Sequence, residues 1–296
     1  MTIARKPRAV EETPSRPASA LARVGVRPAK SRGQNFLTSA GVANRIVAAA
    51  ELSESDAVVE IGPGLGILTE KIAPMPHRSL TLVELDARLA ARLQECFADV
   101  RVVNADFLTI DFAALAAGSS VKIIGNLPFN VAAAILHRLC DNSRMISRMV
   151  LMFQREVAAR IRALPGDDAY GALSVFTALY WQIDSHFTVA AGSFHPRPKV
   201  DAEVLVFTPL ATPAFAKADE REVLETVRAS FSAPRKTIRN ALSHALGLDS
   251  LPTKRALERA AIDPGTRAEK LGVPDFLRLA HELRLELAGM VVARDA

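Results

Sequence analysis

Short apolar runs alternate with longer amphipathic stretches between residues 40 and 209, which predicts strands separated by helices. Val42, Ile46, Val47 and Ala50 fall on one face of a helix expected over Ala40 to Glu51, with Thr38 or Ser39 placed to cap it. Ala57 to Ile61 reads as a β-branched strand that runs into Gly62-Pro63-Gly64-Leu65-Gly66 and a helical stretch from Ile67 to Ala73. Further strands are expected at Leu80 to Glu84, Val100 to Val103, 121–125 and Met149 to Phe153. Helices are expected at Ala87 to Phe97, in the Ala-rich segment from Val131 to Leu136, at Arg155 to Ala163 and at Tyr170 to Trp181. Two last strands, about 183–189 and 202–207, bracket a proline-rich loop, Ser193 to Lys199, with no helix between them. Such a pair can only be antiparallel. The strict alternation before it predicts a mainly parallel sheet covered by helices on both faces.

The pattern changes at Pro209 and Pro213. From Lys217 onward only helical signals remain: Glu220 to Phe231, Pro234 to Leu246, Thr253 to Ala261 and Val273 to Leu287. Pro234, Pro252, Pro264 and Pro274 fall near the expected helix starts, where a missing N–H does no harm. The organisation expected is an α/β domain over 32–210 followed by a small all-α domain over 217–296. Residues 1–31 are proline-rich, charged and without periodicity, the composition of a disordered basic tail.

Charge is unevenly placed. Residues 1–33 carry +6 and residues 217–296 carry +2, which leaves −3 for the middle of a chain whose net charge is +5. Basic flanks around a roughly neutral middle suit a polyanion held at the ends of the chain. The two cysteines, Cys96 and Cys140, sit in expected helices with no CxxC or Cys/His cluster, so no metal site is indicated. Their scarcity fits a reducing compartment. No uncharged apolar run is long enough to span a bilayer. The N-terminus lacks the apolar core of a secretory signal, and its paired Glu11 and Glu12 with four prolines argue against a transit helix. A cytoplasmic protein with no membrane partner, most simply a monomer, is expected.

The candidate chemistry sits at the ends of strands, where open α/β sheets bind ligands. Gly62, Gly64 and Gly66 are spaced GxGxG rather than GxGxxG, so close backbone approach is expected but not a dinucleotide. Glu84, 22 residues after Gly62, can accept from both ribose hydroxyls of a nucleoside. Asp106 can accept from the exocyclic amine of an adenine, although an isolated Asp more often forms a turn. One nucleoside would touch all three. A mononucleoside with a short charged tail fits, and S-adenosylmethionine is such a ligand.

Asn126-Leu127-Pro128-Phe129 closes the fourth strand. The Asn126 side-chain oxygen and the Leu127 carbonyl can accept from an amino group on a base, and Phe129 can stack on its ring. Two acceptors outside the ring plane return the lone pair to the nitrogen, which is electrostatic preorganisation rather than base catalysis. Phe194, in the stiff loop, could close the other face of an extruded base, or could be a core aromatic. Arg228, Arg235, Lys236 and Arg239 form a run with no acid between its ends, with 235 and 239 on one helical face. Phosphate binding is the functional reading, a solvated charged face the plain one.

At these residues the chain resembles the ribosomal RNA adenine dimethyltransferases of the KsgA/RsmA group, with the erythromycin-resistance methyltransferases as near relatives. Gly33-Gln34-Asn35-Phe36-Leu37, Val59 to Thr69, Val83-Glu84-Leu85-Asp86, Asn104-Ala105-Asp106-Phe107, Asn126 to Asn130, Gln154 to Ala158, Tyr170 to Val175 and Phe194 to Asp201 carry the likeness, in order, over about 33–208. Arg228 to Phe231 and Arg235 to Asn240 extend it. The resemblance implies a Rossmann-like class I methyltransferase with a seven-stranded mainly parallel sheet. It implies S-adenosylmethionine contacts at Asn35, Leu37, Gly62, Glu84, Asp106 and Asn126, and target-base contacts at Asn126, Phe129 and Phe194. It further implies transfer of four methyl groups to two adjacent adenines in the 3′-terminal hairpin of 16S rRNA in the immature small subunit. The group usually has tyrosine where this chain has Phe129. Two rivals remain: a resistance-type enzyme acting on large-subunit RNA, and a non-catalytic assembly or nucleic-acid-binding factor of the same fold.

Overall fold

The computed structural model describes residues 34–116, 118–212, 214–216, 219–248 and 250–294. The expected disordered tail, 1–31, lies outside these residues. The chain opens with a two-residue strand, β1 (Phe36–Leu37), then α1 (Ala40–Ala49) and β2 (Ala57–Ile61). A short helix, α2 (Thr69–Ile72), leads to β3 (Ser79–Glu84), α3 (Ala87–Cys96) and β4 (Arg101–Asn104). Next come α4 (Phe112–Ala116), β5 (Val121–Asn126), α5 (Ala132–Asp141), β6 (Ile146–Gln154), α6 (Arg155–Arg162) and α7 (Ala172–Ala178). Three strands complete the sheets: β7 (Trp181–Val189), β8 (Phe194–His195) and β9 (Ala202–Pro209). The C-terminal helices are α8 (Glu220–Ser230), α9 (Ile238–Leu246), α10 (Ser250–Arg259) and α11 (Val273–Arg294).

The main sheet has seven strands in the order β4-β3-β2-β5-β6-β9-β7. The first five run parallel, and β9 inserts antiparallel between β6 and β7, as the missing helix before it required. Period-2 side-chain alternation sends Val59 and Ile61 into one core layer and Val58 into the other. Both faces are covered. A third cluster joins Val175, Phe176 and Leu179 of α7 and its C-terminal end to the C-terminal helices through Val227, Leu242, Phe276 and Leu279. Each such fully buried side chain contributes on the order of 1.5–3 kcal/mol of hydrophobic stabilisation. No helix among the described residues is long and apolar enough to cross a membrane.

Three sequence expectations change. The helix expected to reach Trp181 stops at Ala178, and Trp181, 2% exposed, starts β7 opposite Pro209. The run Leu179-Tyr180-Trp181 is apolar at either period, so periodicity alone could not end the helix there. Helix α9 begins at Ile238, whose N–H reaches Thr266 O at 2.7 Å, so Pro234 lies in the preceding turn rather than in the helix. Arg235 therefore stands outside the helix, and the shared face argued for 235 and 239 does not exist. The pairing of β1 with β8 and the short α4 went unforeseen.

Candidate functional site

In this sheet the chain passes from β2 to β3 and β4 on one side, then returns to β5 on the other. The crevice beyond β2 and β5 is the switch point where such sheets bind ligands. A cleft opens there. It is lined by the segment 34–37, by Glu60, by the turn from Gly62 to Leu65 with Ile67 and Leu68, by Glu84 and Leu89, and by Asn126 to Phe129. Asn35, Leu37, Gly62, Gly64, Glu84, Asn126, Leu127 and Phe129 are thereby brought together.

The turn after β2 is shaped by glycine. Gly64 sits at φ +59, and a Cβ there would lie 3.0 Å from the Phe36 ring. Its N–H donates to Glu84 Oε2 at 3.0 Å, while the Asp86 N–H donates to Oε1 at 2.9 Å. Two amides thus fix the carboxylate and leave its remaining lone pairs for a ligand. Burial lifts Glu84 above the usual carboxylate range, and the hydrogen bonds from Asp86 and Gly64 oppose that rise.

Asn126, half-buried at the end of β5, donates from Nδ2 to Asn35 O at 3.0 Å. A carbonyl can only accept, so the amide nitrogen, not the oxygen, must face it. Oδ1 is left as the acceptor, and it has no partner among the described residues. Asn35 is itself held by a clasp: Phe36 pairs with His195, Leu37 with Phe194, and Thr38 donates from N and Oγ1 to Ser193 O at 2.8 and 3.0 Å.

Two expected site residues stand elsewhere. Phe194 is 4% exposed and belongs to the core layer with Val189, Ala202 and Val204, outside the cleft lining. It is a core aromatic here, because the strand pair with Leu37 tucks it under the loop. Asp106 is half-buried and also outside the lining; its Oδ1 accepts from the Leu108 N–H at 2.9 Å, so it forms a turn.

One residue was overlooked in the sequence. Glu60 is 1% exposed; its Oε2 accepts from Thr69 Oγ1 at 2.7 Å, and its Oε1 is buried without a partner. Burial pushes it up to about 8, against the Thr69 hydrogen bond and with help from the Glu84 charge. The signal was present: an acid inside a five-residue strand buried at every position. Among the described residues, the cleft is lined by two carboxylates and by no Lys, Arg or His. Buried carboxyl groups there suit a ligand that carries hydrogen-bond donors. No group of His, Cys, Asp and Glu among the described residues could hold a metal ion.

In the C-terminal region, Arg228, Arg235 and Lys236 are exposed and Arg239 is half-buried. None of the four pairs with a carboxylate among the described residues, whereas Lys254, Arg255, Arg259, Arg278 and Arg284 each do. The Arg228 guanidinium also lies 5.5 Å over the Phe176 ring.

Comparison with known proteins agrees with this architecture. A bacterial relative from Geobacter metallireducens called ribosomal RNA small subunit methyltransferase A is 41% identical over 266 residues, covering 88% of this chain and 96% of the relative. One of the same name from Syntrophotalea carbinolica is 43% identical over 257 residues, covering 86% and 96%. The crystal structure of the 23S rRNA methyltransferase ErmE is 28% identical with a TM-score of 0.64, covering 84% of this chain and all of that one. A dimethyladenosine transferase structure from Plasmodium falciparum shares the fold at 24% identity, with a TM-score of 0.71 over 85% of this chain and 98% of that one. The sequence pattern of the family described as ribosomal RNA adenine dimethylase matches residues 27–285, and the chain belongs to that family of rRNA methyltransferases.

Proposed function

We propose that this chain uses S-adenosylmethionine to dimethylate N6 of two adjacent adenosines in the 3′-terminal hairpin of 16S rRNA, within the immature small subunit. The observation that carries the reading is the Asn126 amide. Its nitrogen is committed to Asn35, and its oxygen is left as an acceptor beside a cleft whose described lining holds two acids and no base.

S-Adenosylmethionine, when bound, supplies a methyl group made electrophilic by its sulfonium. The Gly62–Gly64 turn lets backbone approach the nucleoside, Glu84 accepts from its ribose hydroxyls, and Asn35 and Leu37 cover it. Asn126 Oδ1 and the Leu127 carbonyl accept from the adenine amino group. Acceptors placed out of the ring plane favour a pyramidal nitrogen whose lone pair is free to attack. Phe129, half-buried at the cleft mouth, stacks on the extruded base. No strong general base is required, because the alkylated ammonium loses its proton readily. Residues 32–210 form the methyltransferase unit in this reading. The helices of 217–296 hold RNA through Arg228, Arg235, Lys236 and Arg239, whose freedom from acids supports phosphate contact.

The test is tritium transfer from S-adenosylmethionine to immature small subunits and, separately, to large subunits, with Asn126→Ala as the control. Label on small-subunit RNA, lost in the variant, is expected. Label on the large subunit alone would favour a resistance-type enzyme, and cofactor binding without transfer to either would favour an assembly factor.

A further inference from the structure

RNA gripped by the C-terminal helices reaches the cleft in register only if those helices stand at a set distance from it. The apolar layer that joins them to α7 is non-directional, so it supplies adhesion without register. Direction comes from residues 263–272, between α10 and α11. This segment is braced within itself. The Gly265 N–H donates to Asp263 Oδ1 at 2.9 Å, the Gly272 N–H donates to Asp275 Oδ2 at 2.8 Å, and Ala268 and Leu271 are buried. One end of it holds the basic run. Thr266 O accepts from the Ile238 N–H at 2.7 Å, which places the start of α9 and with it Arg235, Lys236 and Arg239.

The other end holds the loop that follows α6. Glu269 O accepts from the Gly166 N–H at 2.8 Å, and Leu271 O accepts from the Tyr170 hydroxyl at 2.7 Å. Gly166 turns its N–H there at φ +97, a conformation that a side chain disfavours. The Tyr170 ring meets Phe231 edge-on at 6.1 Å between centroids. Helix α6 starts directly after β6, whose Met152 pairs with Asn126, and its eight residues span about 12 Å. A short path therefore runs from Asn126 through β6, α6 and the 164–170 loop to the braced segment, and on to the basic run.

We propose that Tyr170, with Gly166, is a positioning residue for methyl transfer: its hydrogen bond to Leu271 sets the reach between the basic run and the Asn126 cleft, so that RNA held at the one presents its adenine at the other. This rests on the rRNA reading above and adds the means by which the two parts of the chain act on one RNA. Neither residue lines the cleft, so both act through the segment they hold.

Tyr170→Phe keeps the ring against Phe231 and deletes only the donor. The released segment samples other placements, and less of the bound RNA stands in register. With immature small subunits and S-adenosylmethionine both saturating, turnover should fall about 2- to 13-fold, the worth of one hydrogen bond. RNA affinity, read by filter binding, should not move, because the basic run is intact. Tyr180→Phe removes another hydrogen bond to the C-terminal helices, to Glu220 Oε1 at 2.9 Å, without touching 263–272, and should leave turnover unchanged. Arg235→Ala, Lys236→Ala and Arg239→Ala together free the RNA from the run, so adding Tyr170→Phe to them should slow turnover no further. The proposal is overturned if Tyr170→Phe turns over like the native chain, if it lowers RNA affinity rather than turnover, or if Tyr180→Phe slows transfer as much. It is also overturned if the Tyr170→Phe effect multiplies with that of the triple variant, since the two would then act independently. A native chain that labels neither subunit would instead sink the rRNA reading itself.

Discussion

The ligand-free protein should lose stability as pH rises through neutrality, and Glu60→Gln should remove most of that loss. Glu60 titrates near 4.5 in an unstructured chain and near 8 when folded. Between those values the folded protein holds a proton that the unfolded chain has given up. The native state thus binds more protons, and stability must fall with rising pH, by ~1.4 kcal/mol per unit while Glu60 remains protonated. Integrated from pH 6.5 to 8, where the folded group is half-ionised at the upper limit, the loss is roughly 1.7 kcal/mol. That is a substantial share of the ~5–15 kcal/mol typical of a folded domain. Glu84 is also raised by burial and acts with the same sign. His137 is depressed by burial and by Arg228; it adds stability as pH rises up to about 6.5, the ordinary value, so the window starts there. Asp56 and Asp86 are lowered and act only in the acid range. Urea unfolding midpoints at pH 6.5, 7.25 and 8 for native and variant chains measure the difference. Parallel profiles for the two proteins would refute the assignment of a protonated, buried Glu60.

Phe129→Tyr should retain methyl transfer, because stacking needs only the ring. Phe129→Ala should slow transfer about 5- to 150-fold, the equivalent of a stacking interaction of ~1–3 kcal/mol; initial rates at saturating cofactor report it, with cofactor affinity unmoved. Arg235→Ala combined with Lys236→Ala should weaken binding of the hairpin RNA and reduce the slope of log affinity against log salt by about 0.7 to 0.9 for each phosphate that is no longer neutralised. Filter binding at salt concentrations of roughly 50 to 200 mM measures this, and an unchanged slope would remove these two residues from the RNA interface.

Much of the fold was readable because each parallel strand has an apolar centre and the longer helices show one apolar face. Strand β2 begins and ends where its apolar, β-branched run does, at Ala57 and Ile61. The antiparallel β9 followed from the absence of a helix between it and β7. What could not be read was contact between distant segments. Nothing local in Phe36-Leu37 announces a partner near residue 194, and two residues carry no usable periodicity. For the same reason Phe194 was legible as an aromatic in a stiff loop but not as a buried one. Glu60 was missed for a different reason. It was read as part of an apolar strand, although a lone acid in a strand buried on both faces has to be explained by a partner or a ligand.

In the proposed mechanism the segment around Asn35 belongs to the chemistry rather than only to the border of the cleft. An asparagine amide presents either an acceptor or a donor pair, and rotation by half a turn exchanges them. Against an adenine amino group, only the acceptor orientation helps. The Asn35 carbonyl selects that orientation by accepting from Nδ2 across 91 residues of sequence. The carbonyl is itself placed by the β1–β8 pair and by the two hydrogen bonds from Thr38 to Ser193. So in that mechanism the loop before β9, which buries Phe194, would act on the base through the backbone: it holds β1, β1 holds Asn35, and the Asn35 carbonyl sets the orientation of the Asn126 amide.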